Sequence, residues 1–117
     1  MRAMLLAALC ALAAIASPFA AAHAFLDHAS PAVGSTVQAS PPDVKLWFTQ
    51  ELEPAFSTIS VKDASGRQVD KGDRKVSADT MQVSIPKLAP GRYKVAWRAL
   101  SVDTHVTEGD FTFEVAP

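Results

Sequence analysis

The sequence predicts an all-β domain, a Greek-key immunoglobulin-like β-sandwich or barrel that follows a cleaved leader. Three observations predict it. Apolar and polar residues alternate with period two in several short segments, and each segment is bounded by Gly, Pro or Asp. No stretch after residue 22 carries a helical 3.6-residue repeat. The one long apolar run lies at the amino terminus and has the parts of a secretory signal.

That run extends uncharged from Met4 to Ala16, after Arg2 and before a small-residue end, Ala20-Ala21-Ala22. It is short of the about 20 apolar residues that span a bilayer. Residues 1–22 are therefore expected to be a cleaved signal peptide, and residues 23–117 the mature domain, beginning at His23. The first strand signal is Val44-Lys45-Leu46-Trp47-Phe48-Thr49, after Pro41-Pro42-Asp43. Thr58–Lys62 alternates with Ile59 and Val61 on one face and stops at the turn Asp63-Ala64-Ser65-Gly66. Asp70–Asp79, charged and weakly patterned, reads as a solvated loop. Met81–Ile85 alternates again and ends at Pro86. After the turn Ala89-Pro90-Gly91, Tyr93, Val95 and Trp97 share a face, and Phe111, Phe113 and Val115 do so in the last strand. Trp47, Phe48, Trp97, Phe111 and Phe113 are expected to be core aromatics.

A chain of 117 residues holds one domain of this kind. Cys10, the only cysteine, falls in the leader, so the mature domain has no disulfide and no thiolate. Export without disulfides fits a bacterial periplasm. Loss of Arg2 with the leader leaves a formal charge of −2, and Lys and Arg are scattered without a basic stripe, which excludes a nucleic-acid partner.

Three histidines remain for chemistry: His23, His28 and His105. Cleavage after Ala22 would put His23 first, and its α-amine and Nδ1 can then close a six-membered chelate ring on one metal ion. Asp103-Thr104-His105 offers a carboxylate and an imidazole at i and i+2, which point the same way on an extended backbone. Three nitrogens and one oxygen make a tetragonal set suited to Cu(II). Zn(II) could use the same donors but prefers a tetrahedron. Spacing alone does not decide for copper, since Asp-x-His is a common pattern. His28 reads as a solvated side chain.

Several segments together resemble the CopC family of periplasmic copper-resistance proteins. They are His23-Ala24-Phe25-Leu26, Ser30-Pro31-Ala32, Val44–Thr49, Ile59-Ser60-Val61, Pro90–Arg98, Ser101-Val102-Asp103-Thr104-His105 and Gly109–Phe113. The resemblance covers essentially the whole mature chain. It implies a Greek-key β domain, a Cu(II) cargo held by His23, Asp103 and His105, and a CopD-type inner-membrane partner. It implies no enzyme. Three departures stand out. Met81 is the only methionine after the leader, so the Cu(I)-binding methionine-rich loop of some members is not expected. Thr104 stands where Gly is frequent, which suggests an altered turn. Gln50 stands where Glu is frequent, with Glu51 and Glu53 nearby.

Two other readings of the residues remain open at this point: a metal-free interaction module, and a copper mono-oxygenase with an amino-terminal His. The latter needs an exchangeable coordination position, which Asp103 would occupy. Mass spectrometry of the protein exported by a bacterial host should give an amino terminus at His23; an intact leader would remove the terminal chelate.

Overall fold

The computed structural model describes residues 24–117; the expected leader, 1–22, and His23 lie outside the described residues. Eight strands run in chain order: β1 (Leu26–Ser30), β2 (Thr36–Val37), β3 (Asp43–Phe48), β4 (Thr58–Lys62), β5 (Lys75–Ser77), β6 (Thr80–Ser84), β7 (Gly91–Leu100) and β8 (Val106–Val115). A short 3₁₀ turn covers Pro54–Phe56. Among the described residues no helix is long and apolar enough to cross a membrane.

The strands form two four-stranded sheets, ordered β1-β3-β6-β5 and β2-β8-β7-β4. Every pairing is antiparallel except the short parallel contact of β2 with β8. The chain changes sheet between β1 and β2, β2 and β3, β3 and β4, β4 and β5, and β6 and β7, giving the expected β-sandwich. Alternation supplies the core. Val44, Leu46 and Phe48 of β3 and Met81 and Val83 of β6 are buried with Ile59 and Val61 of β4, Tyr93 and Val95 of β7, and Phe111, Phe113 and Val115 of β8. Fully burying one such side chain stabilises the fold by about 1.5–3 kcal/mol, so these two inner faces can hold the sheets together without a disulfide. Met81 is a core residue.

Two expectations need correction. Asp70–Asp79 is not wholly a loop: β5 lies within it and pairs with β6 through Lys75↔Gln82, Val76↔Met81 and Ser77↔Thr80. An edge strand of three residues needs one ladder and one apolar side chain. Val76 provides the latter, packed against the core, and three residues are too few for a period-two pattern to register. Trp47 is not a core aromatic either. Its neighbour Phe48 faces inward, so the pleat turns Trp47 to the outer face of β3. There its ring stacks on His28 at 4.3 Å and lies 5.0 Å beneath the Lys45 ammonium.

Trp97 is partly buried and meets Phe48 edge-on at 5.1 Å. It reaches across to β8 at Gly109, its cross-strand partner, where a Cβ would stand 2.5 Å from the indole ring. Gly109→Ala should therefore displace Trp97 and destabilise the protein by about 1–3 kcal/mol, with a changed near-UV tryptophan signal. A melting temperature unchanged from that of the unsubstituted protein would show that the ring moves freely.

Candidate metal centre

The loop Ser101–His105 joins the two longest strands, β7 and β8, at one end of the sandwich. It is sewn to the segment after β3. The Glu53 N–H donates to the Leu100 carbonyl at 2.8 Å, the Val102 N–H donates to the Glu51 carbonyl at 3.1 Å, and Leu52 bridges Ser101. Ser57, fully buried, receives the Leu100 N–H on its hydroxyl at 3.1 Å and donates to the Glu53 carbonyl at 2.9 Å. The base of the loop is therefore held by main-chain bonds from Glu51–Glu53 and by the Ser57 hydroxyl.

Within the loop the Ser101 N–H donates to the His105 carbonyl at 3.0 Å, and the Thr104 N–H donates to the Ser101 carbonyl at 2.9 Å. This tight turn places Thr104 at φ 74°. Thr104 thus takes up the backbone conformation that glycine would adopt most readily, despite its β-branched side chain. Its hydroxyl donates to the Asp103 carbonyl. The sequence placed Asp103 and His105 side by side on an extended backbone; they do meet, but a turn brings them together.

Asp103 Oδ1 collects three partners. It accepts a hydrogen bond from the Ser101 hydroxyl, accepts the His105 N–H at 3.3 Å, and stands 3.3 Å from His105 Nδ1. The Ser101 hydrogen bond, followed by those from His105, holds the Asp103 carboxyl below the usual carboxylate value of 3.8. Asp103 is therefore an anion throughout the neutral range. Ser101 is itself 1% exposed, whereas the His105 ring and the Asp103 carboxylate open to solvent at 51% and 35%. An anionic oxygen and an imidazole nitrogen thus stand together at the surface on a buried support.

The amino-terminal segment enters the same neighbourhood. The Thr107 hydroxyl, two residues beyond His105, donates to the Ala24 carbonyl at 2.5 Å. Phe25 is held to Thr49 by two bonds of 2.9 Å, its N–H to the Thr49 Oγ1 and its carbonyl from the Thr49 N–H. Ala24 is fully buried, and the expected ligand His23 is the residue before it. Among the described residues no group of three or more His, Cys, Asp or Glu could hold a metal ion; Asp103 and His105 supply two donors. His28 is engaged elsewhere. Its Nδ1 lies 2.7 Å from Asp27 Oδ2 and its ring is stacked on Trp47, so it is a surface side chain with fixed neighbours rather than a freely solvated one. Gln50 precedes the residues whose main chain meets the loop, Glu51 and Glu53.

Sequence reasoning found Asp103 and His105 and missed the support. Ser101 was visible within Ser-x-Asp-x-His, but nothing in the spacing marks its hydroxyl as buried. Thr107 and Thr49 had no local signal at all.

Residues 26–116 match the CopC domain. The chain belongs to the CopC family. Protein YobA of Escherichia coli K12 is 33% identical over 105 residues, covering 86% of this chain and 85% of that one. Copper resistance protein C of Pseudomonas syringae pv. tomato is 33% identical over 110 residues, covering 86% of each. The crystal structure of CopC from Methylosinus trichosporium OB3b superposes with a TM-score of 0.72 at 42% identity, covering 81% of this chain and 95% of that one. Membership of the CopC family makes this a copper-related protein.

Because the folded-state pKa of Asp103 lies below its unfolded value of 3.8, its carboxylate stabilises the fold fully above that value. The contribution is lost as the pH falls through the lower, folded-state pKa. Ser101→Ala removes the largest cause of the depression. The Asp103 carboxyl should then titrate nearer 3.8 by NMR, and acid unfolding should begin at a higher pH. An unaltered titration curve would mean that the hydroxyl is not the cause.

Proposed function

We propose that this CopC-family protein is an exported, periplasmic Cu(II)-binding protein that sequesters copper and delivers it to a CopD-type inner-membrane partner. The ligands are the α-amine and Nδ1 of His23, the Asp103 carboxylate and the His105 imidazole. The observation that carries the reading is the pair of Asp103 and His105 at 3.3 Å, on the loop whose following strand also binds the carbonyl next to His23. Ligands at about 2.0–2.1 Å from a metal, at right angles to one another, stand about 2.9 Å apart. The observed separation of 3.3 Å is close to that spacing.

The donor set suits Cu(II) on chemical grounds. Nitrogen and oxygen donors bind Cu(II) most tightly among the divalent first-row metals, and the lone thioether of Met81 is buried in the core, away from any soft Cu(I) site at the surface. One anionic oxygen offsets part of the ion's charge. Both side-chain ligands are partly exposed, which leaves the cargo open to an acceptor. The reading assigns binding and transfer to the chain and no catalysed reaction.

A competitive Cu(II) titration tests it with two proteins, one starting at His23 and one carrying an extra Ala before it. The expected result is one ion per chain and an affinity at least about 100-fold lower in the extended form, since the chelate ring can no longer close. Affinity should also fall steeply below about pH 6, because protons compete with the metal for the amine and imidazole nitrogens. Equal binding by the two forms would remove His23 as the anchor. Absence of binding by both would end the copper reading.

A further inference from the structure

Chain termini are ordinarily loose unless something ties them down, and the copper reading asks the first residue of the mature chain to place two donor atoms on a loop 80 residues away. The described part of that terminus is tied. Ala24 packs into the core, and Phe25 is bonded twice to Thr49 at the end of β3. These contacts fix the segment to the first sheet. The contact that fixes it to the strand following the loop of the candidate ligands comes from Thr107 in the second sheet, whose hydroxyl reaches the Ala24 carbonyl 83 residues away in sequence. That carbonyl belongs to the residue that directly follows His23.

We propose that Thr107 is a positioning residue for the metal centre: its hydroxyl holds the Ala24 carbonyl against β8, two residues beyond His105, and so fixes the point from which His23 must reach the ion. The inference rests on the copper reading above and deepens it. Thr107 touches no metal ligand atom in this role; it reduces the freedom that the terminal residue must give up when it closes on the ion. A threonine on a half-buried strand has a simpler use, as a β-branched residue that fits a pleated surface. Valine serves that use equally well, so the two roles separate on the hydroxyl alone.

The test compares the unsubstituted protein starting at His23 with Thr107→Val, Thr107→Ala and Thr107→Ser. Each is read by competitive Cu(II) titration and by the EPR spectrum of the bound Cu(II). The Val and Ala variants should bind about tenfold more weakly, as expected for one lost hydrogen bond, with an altered EPR spectrum. The Ser variant, which keeps the hydroxyl, should stay within about threefold and retain the spectrum. Wild-type affinity and spectrum in Val or Ala would overturn the role of Thr107 while leaving the copper site standing. Equal weakening in Val, Ala and Ser would also overturn it, because shape rather than the hydroxyl would then matter. If the unsubstituted protein takes up no Cu(II), the copper reading falls and the positioning role falls with it.

Discussion

The β7–β8 hairpin is the element on which the other parts depend. Ten consecutive residue pairs join the two strands, from Gly91↔Val115 to Leu100↔Val106. Because side chains alternate across a strand, this one register puts Tyr93, Val95, Phe111, Phe113 and Val115 into the core and leaves Arg92, Lys94, Arg98, Glu108, Asp110 and Glu114 outside. On the outer face the charges pair across the hairpin as Arg92–Glu114, Lys94–Asp110 and Arg98–Glu108, at 3.4–3.8 Å. These pairs are exposed and contribute little each, but every one agrees with the register that the core demands. A slip of one residue would reverse both faces at once.

The same hairpin decides where chemistry can occur. Its two strands end together, so the five residues between them must turn back within a small space. The turn is closed by main-chain bonds between Ser101 and His105, and it is Thr104, at φ 74°, that takes the strained position. Asp103 and His105 are thus presented by a rigid base rather than by a flexible loop tip. The buried Ser101 hydroxyl then does two things with one group. It orients the carboxylate, and it lowers that carboxyl's pKa below the usual value. A metal ligand needs both, since a protonated or wandering carboxyl binds weakly.

The opposite sheet contributes through its edge. β1 pairs only with β3, and its bulge between Leu26 and His28 shifts the register just before the outward-facing His28–Trp47 stack. Ala24 and Phe25, the described residues preceding β1, belong to no strand, yet Ala24 is fully buried and its carbonyl is bound by Thr107. The amino-terminal segment therefore spans the two sheets at the end of the sandwich where the loop lies. At this end of the sandwich the segment before β1, a tight turn and an ionised carboxylate come together.

Strands with four or more alternating residues were legible in the sequence, as β3, β4, β6, β7 and β8 illustrate, because period-two burial is a local property. So were Asp103 and His105, through residue type and spacing, and so was the resemblance that the CopC match bears out. β1, β2 and β5 were not: Leu26–Ser30 does not alternate, and two or three residues carry no period, so only pairing with β3, β8 and β6 makes them strands. Alternation demands that adjacent Trp47 and Phe48 face opposite ways, but which of them enters the core depends on the facing sheet, where Trp97 receives Phe48. The contact between Thr107 and Ala24 joins positions 83 residues apart. No local pattern encodes such a bond, since it exists only once the two sheets have packed and brought the segment before β1 against the start of β8.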